Sequence, residues 1–376
     1  MNIRTIAIIL GITFISVIGA EAQQTILLDG SVRFMTNQTA NAVVTFSRNS
    51  KTGALTQIDT ELTQGAGNPI PIEPDPSVDP LASQNSLIVD EKGAYVYAVN
   101  AGSNDISVLA VEARGLRFVQ KISSVGTRPI SLTIHRKWLY VLNEGDTPII
   151  TGFSIGSGGR LTPIEGSTRP LVGGPTADPA QIGFNNDGTM LVVSEKNGNR
   201  FDLYNVDANG VAGPPTASPS YGMKPFGFVF GPRGHLFAVE PFNPFGGSAV
   251  SSYDASSALM LEPVSGSVTN GQEDSCWIES TKDGSLIVTS NPGSGTLSTY
   301  AATRNGRLTL LRGVAGSPGP GTAPVDIALD PNDKFLYVLE NGSHKISAWQ
   351  LRRDGSLSLI GKYGDIPAGA QGIAVR

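Results

Sequence analysis

One cysteine and three histidines stand in a chain of 376 residues. Cys276 has no second thiol to bridge with, so no intramolecular disulfide holds the fold. No Cys or His spacing typical of a zinc centre occurs either. Charge is also sparse, at 16% of residues with a net of −5, and no basic run is present. A phosphate-backbone binder needs a basic face, so nucleic acid is excluded as a general partner. Beyond the N-terminus no apolar stretch approaches the 18 or so residues of a membrane span. Neither a nucleophilic serine elbow, a phosphate-binding glycine loop nor a dinucleotide fingerprint occurs.

What is present is apolar residue and turn residue: 40% hydrophobic, with 45 Gly and 25 Pro. That composition builds a large core with many turns. The first residues, MNIRTIAIILGITFISVIGAEAQQ, place Arg4 before an apolar run from Ile6 to Ile18 and end in Ala20-Glu21-Ala22. This predicts a signal peptide over 1–22, cleaved after Ala22, and a secreted or periplasmic mature chain, 23–376, without a membrane span.

A short motif recurs along the whole mature chain. YVYAVN ends at Asn100, WLYVLN at Asn143, MLVVSE at Glu195, HLFAVE at Glu240, SLIVTS at Ser290 and FLYVLE at Glu340, with a weaker VRFMTN ending at Asn37. Around each copy lie three further short apolar runs separated by turn residues, as in PVDIALD, ISAWQL and SLSLI. Four short antiparallel strands every 40–50 residues or so mark a β-propeller blade. The residues before VRFMTN and after FLYVLE together make one more repeat. The expectation is therefore an all-β, seven-bladed β-propeller with four strands, A to D, per blade. Its ring closes when the C-terminal run QGIAV pairs with the N-terminal strands. The repeated run is apolar at successive positions, as expected for a strand buried on both faces. Its aromatic residues are assigned to the core. The Pro-rich insertion over 66–83 is expected as a semi-rigid surface loop.

Several strings carry a resemblance: LYVLNEG, PAQIGFNNDG, LVVSEKNGN, KPFGFVF, AVSSYD, CWIESTKDG, SNPGSGTLSTY and FLYVLENG. They resemble the seven-bladed lactonase family, similar in fold to bacterial-type 6-phosphogluconolactonase and carboxymuconate lactonising enzymes. The likeness runs from about Val32 onward. It implies a lactonase-like hydrolase or cycloisomerase acting on a small, anionic lactone. Members proposed as enzymes often carry a Pro-His pair at the start of strand A. Here those slots read RPISL, PAQIG, KPFGF, DSCWI and APVDI, without histidine. A secreted propeller that binds a protein or glycan on the same face is the alternative. Export argues against 6-phosphogluconolactone itself, a cytosolic metabolite.

In a propeller the D-to-A and B-to-C links share the face where a site forms. Opening a lactone requires a base for water and a donor or cation for the oxyanion. Glu195 and Glu240 are the candidate bases. Arg128, Lys196, Lys224, Asn143, Glu144, Asn291 and Glu340 are candidate substrate ligands. The competing reading has the carboxylates bonding to neighbouring backbone and locking the ring. No cofactor is required, although oxygens around a channel also suit a divalent cation, calcium or magnesium. His135 and His235 fall at A-to-B turns, and only His344 lies in a B-to-C link.

Overall fold

Apolar residues at every position of a five- or six-residue run cannot be buried by one partner layer, and strand B of each repeat meets this by lying inside a blade stacked between two others. The computed structural model describes residues 30–68, 79–242, 246–257 and 260–376. The expected signal peptide and most of the Pro-rich insertion lie outside them. The described chain forms seven antiparallel sheets, numbered here as blades 1 to 7. Their B strands are Tyr95–Asn100, Trp138–Asn143, Met190–Glu195, His235–Glu240, Leu286–Asn291, Phe335–Glu340 and, last, Ser31–Met35. Strand A lies inside strand B, and strands C and D lie outside it. Two short 3-10 turns, Ser157–Gly159 and Gly174–Thr176, are the helical segments described.

The expected closure is found. Gln371–Val375 is strand A of blade 7 and pairs antiparallel with Ser31–Met35, with Val32 opposite Val375. Arg48, on strand C of this blade, reaches the Asp330 carboxylate of blade 6 at 3.4 Å, both side chains buried. The ring thus joins chain ends without a disulfide.

The aromatic residues of strand B are core, as expected, and they also staple blades together. The hydroxyls of Tyr97, Tyr140 and Tyr337 donate to the carbonyls of Gly159, Gly210 and Gly53, each in the next blade. A buried phenol needs such a partner. The A-to-B turns are made alike: one Oδ atom of Asp90, Asn185 or Asp330 accepts two backbone N–H groups at 2.6–3.0 Å. Asp and Asn favour turns for this reason.

The described end of the insertion, 79–83, differs from a plain surface loop. Leu81 and Ser83 are fully buried, because the segment ahead of strand A of blade 1 crosses the central channel. The Gln84 side chain both donates to the Ile278 carbonyl and accepts from the Ile278 N–H, on blade 5. The Ser83 hydroxyl donates to Ile130 of blade 2, and the Trp277 indole donates to the Ser83 carbonyl. The channel is plugged, so the face above it is a bowl.

Candidate active site

The residue four positions before the channel-facing part of strand A adopts a left-handed φ in blades 2 to 7: Arg128, Asp178, Lys224, Asp274, Ala323 and Gly369, between 44° and 73°. Five of the six are not glycine. Left-handed φ is costly for such residues and concentrates at functional positions. In four of these blades a proline follows or comes close behind, fixing the turn into strand A. In blades 2, 3 and 6 the residue after strand B then hydrogen-bonds to that turn. Glu144 N–H donates to the Arg128 carbonyl, Lys196 N–H to Asp178 and Asn341 N–H to Ala323, at 2.9–3.2 Å. In these three blades two side chains therefore meet at the rim of the bowl.

In blades 2 and 3 both are charged, with the signs exchanged. Arg128 Nε lies 3.0 Å from Glu144 Oε2, and Lys196 Nζ lies 3.0 Å from Asp178 Oδ1. The Arg128–Glu144 pair is at contact distance yet out of line for a hydrogen bond, leaving both buried atoms capacity for a ligand. Burial pushes the Glu144 carboxyl up, opposed by Arg128 and Lys196. The plug segment joins this group. Arg128 Nη2 donates to Pro80 at 2.9 Å, and Lys196 Nζ approaches the Ala82 carbonyl at 3.4 Å. Asp79 heads that segment. Its carboxyl accepts from Ala82 N–H at 3.0 Å and is pushed up to about 7, chiefly by burial, against the pull of Lys196 and of the nearby Gln371 amide. A hollow of about 460 Å³ adjoins, lined by Asn104, Thr127, Arg128, Glu144 and Pro175.

Of the residues chosen from sequence, Arg128, Glu144 and Lys196 come together. Glu195 and Glu240, chosen as bases, are fully buried within their blades. Glu195 accepts from Gly173 N–H at 2.8 Å and pairs with Arg200 at 2.7 Å. Glu240 accepts from Gly222 N–H at 3.0 Å, from Ser267 Oγ at 2.5 Å and from Ser251. Glu340 pairs with Lys362 at 2.6 Å, while Asn143 and Asn291 are fully buried. Asn291 bonds Thr296 and Ser298 of its own strand C. These residues act as interlocks, one residue short of the rim. Lys224 is on the rim in blade 4, with its ammonium 5.1 Å over the Phe242 ring.

Asp178 and Asp79 stand beside this group and were not among the residues chosen from sequence. Asp178 had a signal, an acidic residue directly before the Pro-Ala-Gln-Ile-Gly slot. Asp79 had none, because its place depends on the plug. His344 holds the left-handed turn position, φ 56°, that Asn104 and Asn199 hold in blades 1 and 3. The Cys276 thiol is pushed up by burial, which keeps it protonated and inert. A hollow of about 990 Å³ lies on the opposite face around His135 and Trp138. Among the described residues no three or more His, Cys, Asp or Glu side chains group to hold a metal ion. No helix among them is long and apolar enough to cross a membrane.

The family profile described as lactonase, 7-bladed beta-propeller, matches residues 86–244 and 252–372. A 6-phosphogluconolactonase of Sodalis glossinidius is 26% identical over 156 residues, 38% of this chain and 45% of that protein. The match thus spans less than half of that relative. Among solved structures, a putative 6-phosphogluconolactonase from Bacteroides fragilis superposes with a TM-score of 0.68 at 20% identity, covering 92% of this chain and 98% of its own. The periplasmic gluconolactonase of Pseudomonas aeruginosa gives a TM-score of 0.71 at 12% identity over the same shares. At those identities the likeness concerns the fold.

Proposed function

The chain belongs to the seven-bladed β-propeller lactonase family, and from that premise we propose that it is an exported hydrolase that opens small lactones in the bowl above the plug. The observation that carries this reading is the meeting of Asp79, titrating near 7, with the Arg128–Glu144 and Lys196–Asp178 pairs. A base whose pKa sits near neutrality is suited to proton transfer at neutral pH. The Asp79 carboxylate takes a proton from water as the water oxygen bonds to the lactone carbonyl carbon. The Lys196 ammonium faces the oxyanion that forms. Collapse breaks the ring C–O bond, and the departing alkoxide takes the proton back from Asp79. The product is the open hydroxy acid, which ionises and releases one proton to solvent. Arg128 and Glu144 hold ring oxygens. Export rests on the signal-like residues 1–22 and agrees with the periplasmic protein among the structural neighbours.

The test is acid release from a panel of γ- and δ-lactones by the mature protein. Asp79→Asn is expected to lower kcat by about 100-fold or more, and the wild-type rate should climb as pH passes through about 7. Repeating the assay with a chelator, and then with calcium or magnesium restored, tests whether a divalent cation shares the oxyanion. Rates at the buffer background across the panel, or full activity in Asp79→Asn, would refute the mechanism.

A further inference from the structure

Three glutamines are buried among the inner strands and the plug, and two of them are spent on backbone. Gln84 bridges to Ile278 of blade 5. Gln181, on strand A of blade 3, does the same to blade 4, donating to the Phe228 carbonyl at 2.9 Å and accepting from the Phe228 N–H at 2.7 Å. Gln371 opens strand A of blade 7 and is fully buried, yet neither its Oε1 nor its Nε2 has a hydrogen-bond partner among the described residues. A buried amide left unpaired is costly, and a fold that keeps one has a use for it. The local backbone also sets this residue apart. Between strands A and B of blade 7 the ladder slips by one residue, Phe34 pairing with Ile373 and Met35 with Gln371, so that Gly372 is the extra residue of a bulge. Its φ is 65°, and a Cβ there would stand 2.6 Å from Ser86 Oγ and 2.7 Å from Leu87 N, so glycine is required. Freed from the ladder, the Gly372 N–H donates to Asp326 Oδ2 of blade 6 at 2.8 Å. Bulges of this kind re-aim side chains beside active sites.

The plug brings Asp79 to the same place. Pro80 lies so close to Gly369 that a Cβ there would stand 2.8 Å from Pro80 Cγ, and the Gln371 amide is near the Asp79 carboxyl. Burial is the chief influence on that carboxyl and raises it; Lys196 of blade 3, the Gln371 amide and the Ala82 N–H pull it down, and Glu144 of blade 2 pushes it up. The Cys276 thiol of blade 5 and the Asp326 carboxyl of blade 6 feel the Asp79 charge, and burial keeps both of them protonated and neutral. Among the groups that favour an ionised Asp79, Lys196 is shared with Asp178 and the Ala82 N–H is already bonded. The Gln371 amide still has its bonds to give.

Resting on the hydrolase reading above, we propose that Gln371 is the positioning residue of the base: its Nε2–H donates to the ionised Asp79 carboxylate and fixes the oxygen that takes the proton from water. The bond forms as Asp79 ionises, in the way that the hydrogen bonds of an unliganded site tighten when the reacting state is reached. Gln371 touches neither the water nor the lactone and acts through Asp79.

Gln371→Met keeps the bulk and removes the amide. In acid release from a δ-lactone it should lower kcat about tenfold at neutral pH with KM nearly unchanged. It should also move the midpoint of the rise in kcat with pH upward by about one unit, because the charged form of the base has lost a donor. In an Asp79→Asn background the same substitution should change the residual rate by less than about twofold. An unmoved midpoint, or an equal loss in both backgrounds, overturns the inference, since a purely structural role would lower the folded fraction and leave the midpoint in place. Should Gln371→Met fail to fold, Gln371→Glu serves in its stead. It keeps the length and sets a second carboxyl beside Asp79, so the midpoint should again rise, and an unmoved one overturns the inference. Wild type inactive on every lactone, or full activity in Asp79→Asn, defeats the hydrolase reading instead. The contact is then decided without substrate: the infrared carboxyl band that Asp79→Asn removes should titrate at higher pH in Gln371→Met than in wild type, and the same midpoint in both overturns it.

Discussion

Blades 3 and 6 end strand B on the same residue and use it in the same way. Glu195 is closed off by Gly173 and Arg200, Glu340 by Ser343 and Lys362. Their rims nevertheless differ. Blade 3 offers Lys196 and Asp178, joined at 3.0 Å, where blade 6 offers Asn341 and Ala323, joined through backbone alone. The last residue of strand B is thus common property of the scaffold. The residue after it, and the left-handed residue before strand A, are free to vary from blade to blade. A carboxylate repeated around a ring is weak grounds for catalysis, because the repeat itself explains it.

Substitutions on either side of this one-residue boundary should separate the two roles. The largest expected effect is on turnover: Lys196→Met removes the cation facing the oxyanion and should lower kcat by about 100-fold, with little change in unfolding midpoint because Asp178 stays solvated. Glu195→Ala should do the reverse. It removes at once the acceptor of the Gly173 N–H, the partner of Arg200 and the neighbour of the buried Asp202 carboxyl, for a loss of about 3 kcal/mol in urea unfolding. Glu340→Ala should cost less, about 1–2 kcal/mol, since its partner hydroxyl and the partly solvated Lys362 can both turn to water. If Glu195→Ala is as stable as wild type, or if it abolishes turnover in protein that is fully folded, the boundary is drawn in the wrong place.

The fold was legible because periodicity is a property of the chain. FLYVLE and its relatives report a strand buried on both faces wherever they recur, and the ends of the chain summed to one more blade. The interlocks were legible as residues and ambiguous as roles. Glu195 and Lys196 are adjacent, and only backbone geometry turns one inward and leaves the other at the rim. Within the site, Arg128, Glu144 and Lys196 could be chosen from their slots alone. Asp79 could not. Proline-rich sequence on either side reads as an outward loop, whereas Gln84 and Ser83 bond to blades 5 and 2 and draw the segment across the channel.

A smaller effect distinguishes blade 3 from blade 6 without touching the rim. Behind Glu195 lies Asp202, on strand C, which is fully buried and accepts from Val172 N–H at 2.7 Å. Its carboxyl is pushed up to about 8, first by burial and then by the neighbouring Glu195 carboxylate. The Asp202–Glu195 pair therefore holds a proton to higher pH than an ordinary aspartate does. An ordinary aspartate titrates near 3.8, so between that value and about 8 the folded chain binds a proton that the unfolded chain has lost. Stability from this source is full below about pH 4 and is lost as pH rises through about 8. Burial raises the Glu279 and Asp79 carboxyls to about 8 and about 7, which acts in the same direction. The melting temperature of wild type should fall by several degrees between about pH 5 and about pH 9. Asp202→Asn keeps a donor toward Glu195 without a titrating proton, so it should flatten part of that fall. The expected sign is specific, because a carboxylate stabilised in its charged form would make the protein more stable as pH rises over its own window. A melting temperature that rises with pH between 5 and 9, or a slope that Asp202→Asn leaves unchanged, would show that the Glu195–Asp202 contact holds no proton, and blade 3 would then be locked by Arg200 alone, as blade 6 is by Lys362.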